Sequence, residues 1–197
     1  SGALSNCGMS GQKLEWIGYD CCLLAMQDIA SINADYFNYM IASQESEPAG
    51  GWDYDLWLPT LTANADVGTV DLGASICETY KDKCADIYNG YGGDYVGYND
   101  ASLAVFDLSK MSEYVSAFES MVTNLGIVNN ETKFNTVVSE CVGSINEDTG
   151  NSTKTLKFGV GYDDDTEKCT WTTGCCDAYS FLTNVNSKYS SAGAKTA

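Results

Sequence analysis

Histidine and arginine are both absent from this sequence. Without histidine the chain has no side chain that ordinarily titrates near neutral pH, and a zinc site built on imidazole is excluded. No Cys-x-x-Cys spacing takes its place. Without arginine, all 10 basic residues are lysines set against 27 acidic ones, for a net charge of −17. Such a chain cannot neutralise a run of phosphates, so nucleic acid is excluded as a partner, and an anionic membrane surface with it. No apolar run approaches the roughly 18 residues that a spanning helix needs. The segment Ser1-Gly2-Ala3-Leu4-Ser5-Asn6 lacks a charged region followed by an apolar stretch, so no signal peptide is expected. No internal repeat is visible.

What is present is a globular composition, 44% hydrophobic, long enough to bury a core without staples. One domain over residues 1–189 is expected, with a flexible tail over 190–197. The acidic surface suits a soluble extracellular protein, and its field would draw basic peptides towards a cleft. Nine cysteines point to disulfides in an oxidising compartment, hence to secretion. An odd number leaves one thiol free after four bridges. Cys77 and Cys84 are seven apart on an expected helix, roughly 10 Å along its axis, and should pair elsewhere. The vicinal pairs Cys21-Cys22 and Cys175-Cys176 should send their side chains to different partners. Asn130 and Asn151 head glycosylation sequons.

Along the chain, residues 14–19 read as a buried strand ending at Asp20. A helix is expected over 23–33, a strand over 36–42, and a Gly/Pro-bearing loop over 43–53. Helices follow over 55–61 and 67–88, then a Gly/Tyr/Asp-rich loop over 89–100. Residues 102–106 read as a strand, and Asp107 or Ser109 caps a helix to about 124. Further expectations are a helix over 132–145, a turn over 146–151, a strand over 155–161, an acidic loop at 163–165 and a helix over 176–185. Strands alternating with helices predict an α/β fold with a mainly parallel sheet. In such sheets functional groups gather beyond the carboxyl ends of strands, where Asp20, Cys21 and Cys22 stand.

Four blocks carry chemistry: Tyr19-Asp20-Cys21-Cys22-Leu23, the run Ala42-Ser43-Gln44-Glu45-Ser46-Glu47-Pro48 leading to Gly51-Trp52-Asp53-Tyr54, Leu103 to Lys110, and Asp177 to Leu182. In this order and spacing they resemble the clostripain-like cysteine peptidases, over roughly residues 14–185. The resemblance implies a caspase-like α/β fold, a cysteine–histidine dyad and cleavage after arginine or lysine. Cys22 matches the nucleophile, and Cys21 replaces an intervening alanine. Asp20 matches a carboxylate near the pocket for the basic side chain, a charge-assisted partner for guanidinium or ammonium; it equally suits a helix cap. Glu45 and Glu47 match acidic residues of the next loop and are secondary binding candidates, a solvated loop being the simpler reading. Trp52 and Tyr54 would pack the loop. The resemblance also brings calcium as a candidate ligand, for which Asp163-Asp164-Asp165 supply oxygens without EF-hand spacing.

A thiol needs an activating base, and the family's histidine lies upstream of the nucleophile on earlier strands that this sequence lacks. The expectation is therefore a processed heavy chain, with the histidine and part of the oxyanion hole on a separate light chain or N-terminal segment. The competing expectation is a catalytically inactive pseudopeptidase, kept as a secreted, disulfide-stabilised binding or structural module.

Overall fold

The computed structural model describes residue 6 and residues 11–90 and 101–189, less the side chains of 161, 162 and 171–173. It divides into two compact units, Ser1–Ser112 and Glu113–Ala197.

The first unit is built on a three-stranded sheet in the order β1 (Leu14–Gly18), β2 (Phe37–Ala42), β3 (Ala104–Asp107). β1 and β2 are parallel, with Trp16 opposite Tyr39 and Gly18 opposite Ile41. β3 runs antiparallel to β2, pairing Val105 with Ile41. The α/β class stands, and the sheet described is mixed. Met40, Ile41 and Ala42 of the central strand have no exposed surface, because both faces of the sheet are covered. Successive strand residues point to opposite faces. Ile41 therefore packs with Trp57 of α2 (Tyr54–Ala63) and with Leu72, Ile76 and Tyr80 of α3 (Thr69–Gly90). Met40 and Ala42 pack with Ala30 of α1 (Gln27–Asn33) and with Leu108 of a short 3-10 turn. On α3 the buried residues are Thr69, Leu72, Gly73, Ile76, Tyr80 and Cys84, one stripe at helical spacing.

α1 begins four residues later than its sequence predicts. Leu23 takes φ +59°, which a helix forbids. Residues 23–25 instead run beside the loop after β2: Leu23 donates its N–H to the Glu45 carbonyl at 3.1 Å, and Ala25 to the Ser43 carbonyl at 2.9 Å. The expected cap at Asp107 is present, its side chain accepting the Ser109 N–H.

The second unit holds α4 (Met111–Leu125), α5 (Glu131–Cys141), the antiparallel hairpin β4 (Lys157–Asp163) and β5 (Lys168–Cys176), and α6 (Ala178–Tyr189). Its core joins Met121, Leu125, Val137, Cys141 and Val185. Sequence reading missed β5. Its Cys-Thr-Trp-Thr-Thr run has strand composition, but Gly174, at φ +72°, interrupts it.

The eight described cysteines are free thiols, so the expected disulfide framework is not seen among the described residues. They are spread over the loop after β1, α3, α5 and β5, and the buried ones act as small hydrophobes. Cys7 and the 190–197 tail lie outside the described residues, as does most of the 89–100 loop. No described helix is long and apolar enough to cross a membrane. No group of three acidic or cysteine side chains converges as metal ligands among the described residues. Asp163 turns one carboxylate oxygen onto the N–H groups of Asp165 and Thr166.

One contact sets how closely α3 approaches the sheet. A Cβ on Gly73 would lie 2.3 Å from Val105 Cγ2. Gly73→Ala should therefore destabilise the protein by about 1–3 kcal/mol in urea unfolding, despite alanine's better helix propensity. Adding Val105→Ala should recover part of the loss.

Candidate active site

The site is assembled where β1 ends. Tyr19 continues the strand pairing by one bond, its N–H reaching the Ile41 carbonyl at 2.9 Å. Asp20 then turns its carboxylate into the loop that precedes α2. The Trp52 N–H donates to both of its oxygens, at 3.2 and 3.1 Å, and Tyr54 Oη donates to Oδ2 at 3.0 Å. The helix-cap reading of Asp20 fails, since Met26 holds the N-cap position of α1. The loop can wrap a carboxylate this closely because residue 51 is glycine. Gly51 has φ +58°, and a Cβ there would stand 2.6 Å from Asp20 Oδ2. From outside the loop, Lys83 of α3 donates to the carbonyls of Gly50 at 2.7 Å and Trp52 at 3.2 Å.

Cys22 is exposed. Its sulfur lies 3.2 Å from the Glu47 backbone nitrogen, whose N–H points at it, and 3.6 Å from the Glu47 carbonyl. The Glu47 carboxyl lies beside Asp20. Its Oε1 takes a long 3.5 Å bond from Trp52 Nε1. Its Oε2 is buried without a donor while the group is ionised, and when protonated it can donate to Asp20 instead. Burial first, and then that bond to Asp20, raise Glu47 from 4.5 to about 8, with the Trp52 N–H working the other way. Tyr54 is raised as well, by burial and by its bond to Asp20. The result is a pair of acidic side chains, Asp20 and Glu47, side by side, with Glu47 raised into the neutral range.

Among the residues singled out from sequence, Asp20, Cys22 and Glu47 come together. Glu45 does not join them. Its carboxylate accepts the Ser46 N–H of its own loop at 3.1 Å, and its contribution is the carbonyl that holds Leu23. Cys21 is exposed beside the nucleophile position. Sequence reasoning gave Trp52 and Tyr54 only packing roles and passed over Gly51 and Lys83. The Gly50-Gly51-Trp52 run was the available signal, since a glycine pair before a buried aromatic marks close backbone approach.

The sequence model of the Clostripain family matches residues 1–194. No curated protein matches the chain in sequence. Among solved structures, a B. fragilis cysteine protease is similar at 18% identity and a TM-score of 0.52, over 95% of this chain and 63% of that one. A clostripain from Bacteroides thetaiotaomicron ATCC 29148, solved with a peptide inhibitor, shares 18% identity at a TM-score of 0.46, over 94% of this chain and 69% of that one. A secreted C11 cysteine protease from Bacteroides thetaiotaomicron shares 16% at 0.45, over 83% of this chain and 51% of that one. The likeness to the B. fragilis protein speaks for the fold alone, and the chain spans less than two thirds of it.

Two measurements check this geometry. Gly51→Ala should cost about 2 kcal/mol in urea unfolding through the strained φ and the clash with Asp20. Gly50→Ala, whose Cβ meets nothing closer than 3.5 Å, should be near neutral. Glu47 holds its proton more tightly folded than unfolded, so between pH 4.5 and about 8 the native state binds more protons, and stability falls as pH rises. Unfolding midpoints across that window should fall less steeply in Glu47→Gln.

Proposed function

This chain belongs to the clostripain family of cysteine peptidases, and from that premise we propose that it is the nucleophile-bearing part of an endopeptidase cutting after lysine or arginine. One observation carries the reading. The loop after β2 brings a backbone N–H to the Cys22 sulfur and a buried carboxyl to Asp20 in the same turn.

Cys22 attacks the carbonyl carbon of the scissile peptide as a thiolate, forming a tetrahedral intermediate. A histidine on a light chain or N-terminal segment takes the thiol proton and returns it to the leaving amine, and water then hydrolyses the thioester. The negative oxygen is met by the Cys22 backbone N–H, which has no backbone acceptor among the described residues. The Leu23 N–H is spent on Glu45, so the second donor comes with the histidine. The lysine or arginine side chain of the substrate lies against Asp20 and Glu47. A cation between two carboxyl groups lets both ionise, so its arrival drives the proton from Glu47. The net charge of −17 gathers basic peptides towards this edge. Residues 1–189 act as one peptidase portion outside the cell, where an acidic surface keeps it soluble.

A second reading keeps the fold as an inactive secreted binding module. The complete absence of histidine and the second cysteine at position 21 favour it.

Labelling with peptidyl electrophilic ketones separates the two. A lysine- or arginine-terminated probe should form its adduct on Cys22, found by peptide mass spectrometry, and outpace a glutamate-terminated probe by at least about tenfold. Asp20→Asn should abolish that preference. Equal labelling by both probes, or adducts spread over other cysteines, would overturn the peptidase reading.

A further inference from the structure

Two pairs of neighbouring cysteines occur, Cys21-Cys22 and Cys175-Cys176, and the backbone around them differs. Cys175 and Cys176 lie in β5, paired with Phe158 and Lys157 of β4. Successive strand residues point to opposite faces, so the hairpin holds those two sulfurs apart. Cys21 and Cys22 follow β1 in irregular backbone, and both are exposed. Neither the Cys21 carbonyl nor the Cys22 N–H makes a backbone hydrogen bond among the described residues. The peptide joining them can therefore twist without breaking a ladder. The contacts of Cys22 Sγ with Glu47 are those of an exposed side chain, and a fast rotation about χ1 releases the sulfur.

We propose that Cys21 is a resolving thiol, closing a reversible disulfide onto Cys22 that switches the nucleophile off in the presence of a peroxide. The proposal rests on Cys22 being the nucleophile. The Cys22 thiolate attacks one peroxide oxygen: an S–O bond forms, the O–O bond breaks, and the displaced oxygen leaves as an alcohol or water. Cys21 then attacks the sulfenic sulfur of Cys22. The S–S bond forms, the S–O bond breaks, and the leaving hydroxide takes up the Cys21 proton as water. The two thiols have lost two electrons and the peroxide has gained them. Cα atoms of neighbouring residues stand about 3.8 Å apart, short of the roughly 4.4 Å at which ordinary disulfides begin. The bond is therefore strained and readily reduced, as suits a regulatory disulfide better than a structural one. Without Cys21 the sulfenic acid goes on to sulfinic acid, which thiols do not reverse.

The test uses the full chain and its Cys21→Ser variant. Each is treated with excess hydrogen peroxide, cleared with catalase, and exposed to the lysine-terminated ketone probe before oxidation, after it, and after reduction by dithiothreitol. In the parent, oxidation should abolish Cys22 labelling and reduction should restore it. Peptide mass spectrometry of the oxidised parent should find the Cys21-Cys22 peptide lighter by two hydrogens, with Cys175 and Cys176 both still open to iodoacetamide. Cys21→Ser should label like the parent before oxidation, yet regain less than about a tenth of that labelling after reduction, its Cys22 found as sulfinic acid. A parent whose labelling survives the peroxide overturns the proposal. So does a parent whose Cys22 is oxidised while Cys21 stays open to alkylation, and so does a variant that recovers as fully as the parent. A reduced parent that takes no probe on Cys22 overturns the nucleophile reading itself, whether or not the two sulfurs join.

Discussion

The carboxylate of Asp20 organises everything around it. It leaves the end of β1 with no ion-pair partner among the described residues and is satisfied by the Trp52 N–H and Tyr54 Oη of a loop more than thirty residues away. That clasp decides where the loop lies, and so where Glu47 lies. It also explains why a glycine must stand at 51 and why Lys83 reaches over to hold the loop's carbonyls. Its partners there are neutral donors, so the clasp satisfies its lone pairs without bringing a counter-charge to it.

Much of this was written locally in the chain. The strand before Asp20 and the buried run of β2 follow from composition, and the stripe on α3 from spacing. The blocks at 19–23 and 42–54 carried the family resemblance because several residue types had to coincide in order. What escaped was set by tertiary partners. The delayed start of α1 depends on Leu23 and Ala25 finding carbonyls on another loop, which no local pattern encodes. β5 was missed because its glycine breaks an alternation that pairing with β4 restores. Glu45 and Glu47 look alike in sequence, and only burial under Trp52 separates them. The disulfides expected from the cysteine count rested on compartment reasoning, and the elements carrying those cysteines do not bring them into pairs among the described residues.

The division of labour within the 43–54 loop follows from β2 being central. A strand buried on both faces holds its last residues rigidly, so Ser43 is a fixed post. From that post the chain sends backbone groups to the Cys22 sulfur, then the Glu47 carboxyl to the side of Asp20, then the Trp52 N–H and the Tyr54 hydroxyl to Asp20 itself. The contacts to the sulfur and to Asp20 therefore share one short covalent segment, and a displacement of either is felt by the other.

Leu23 holds a left-handed backbone at φ +59°, which costs a non-glycine residue about 1–2 kcal/mol. A sequence shaped for robustness alone would place glycine there. The domain is thus less robust than its own topology permits, and the shortfall sits on the residue next to Cys22. Selection of this chain for heat resistance, with no demand on reactivity, would find position 23 an easy place to improve. The variants recovered would be sturdier proteins with a more loosely held sulfur, since glycine at that position would relax the turn behind it.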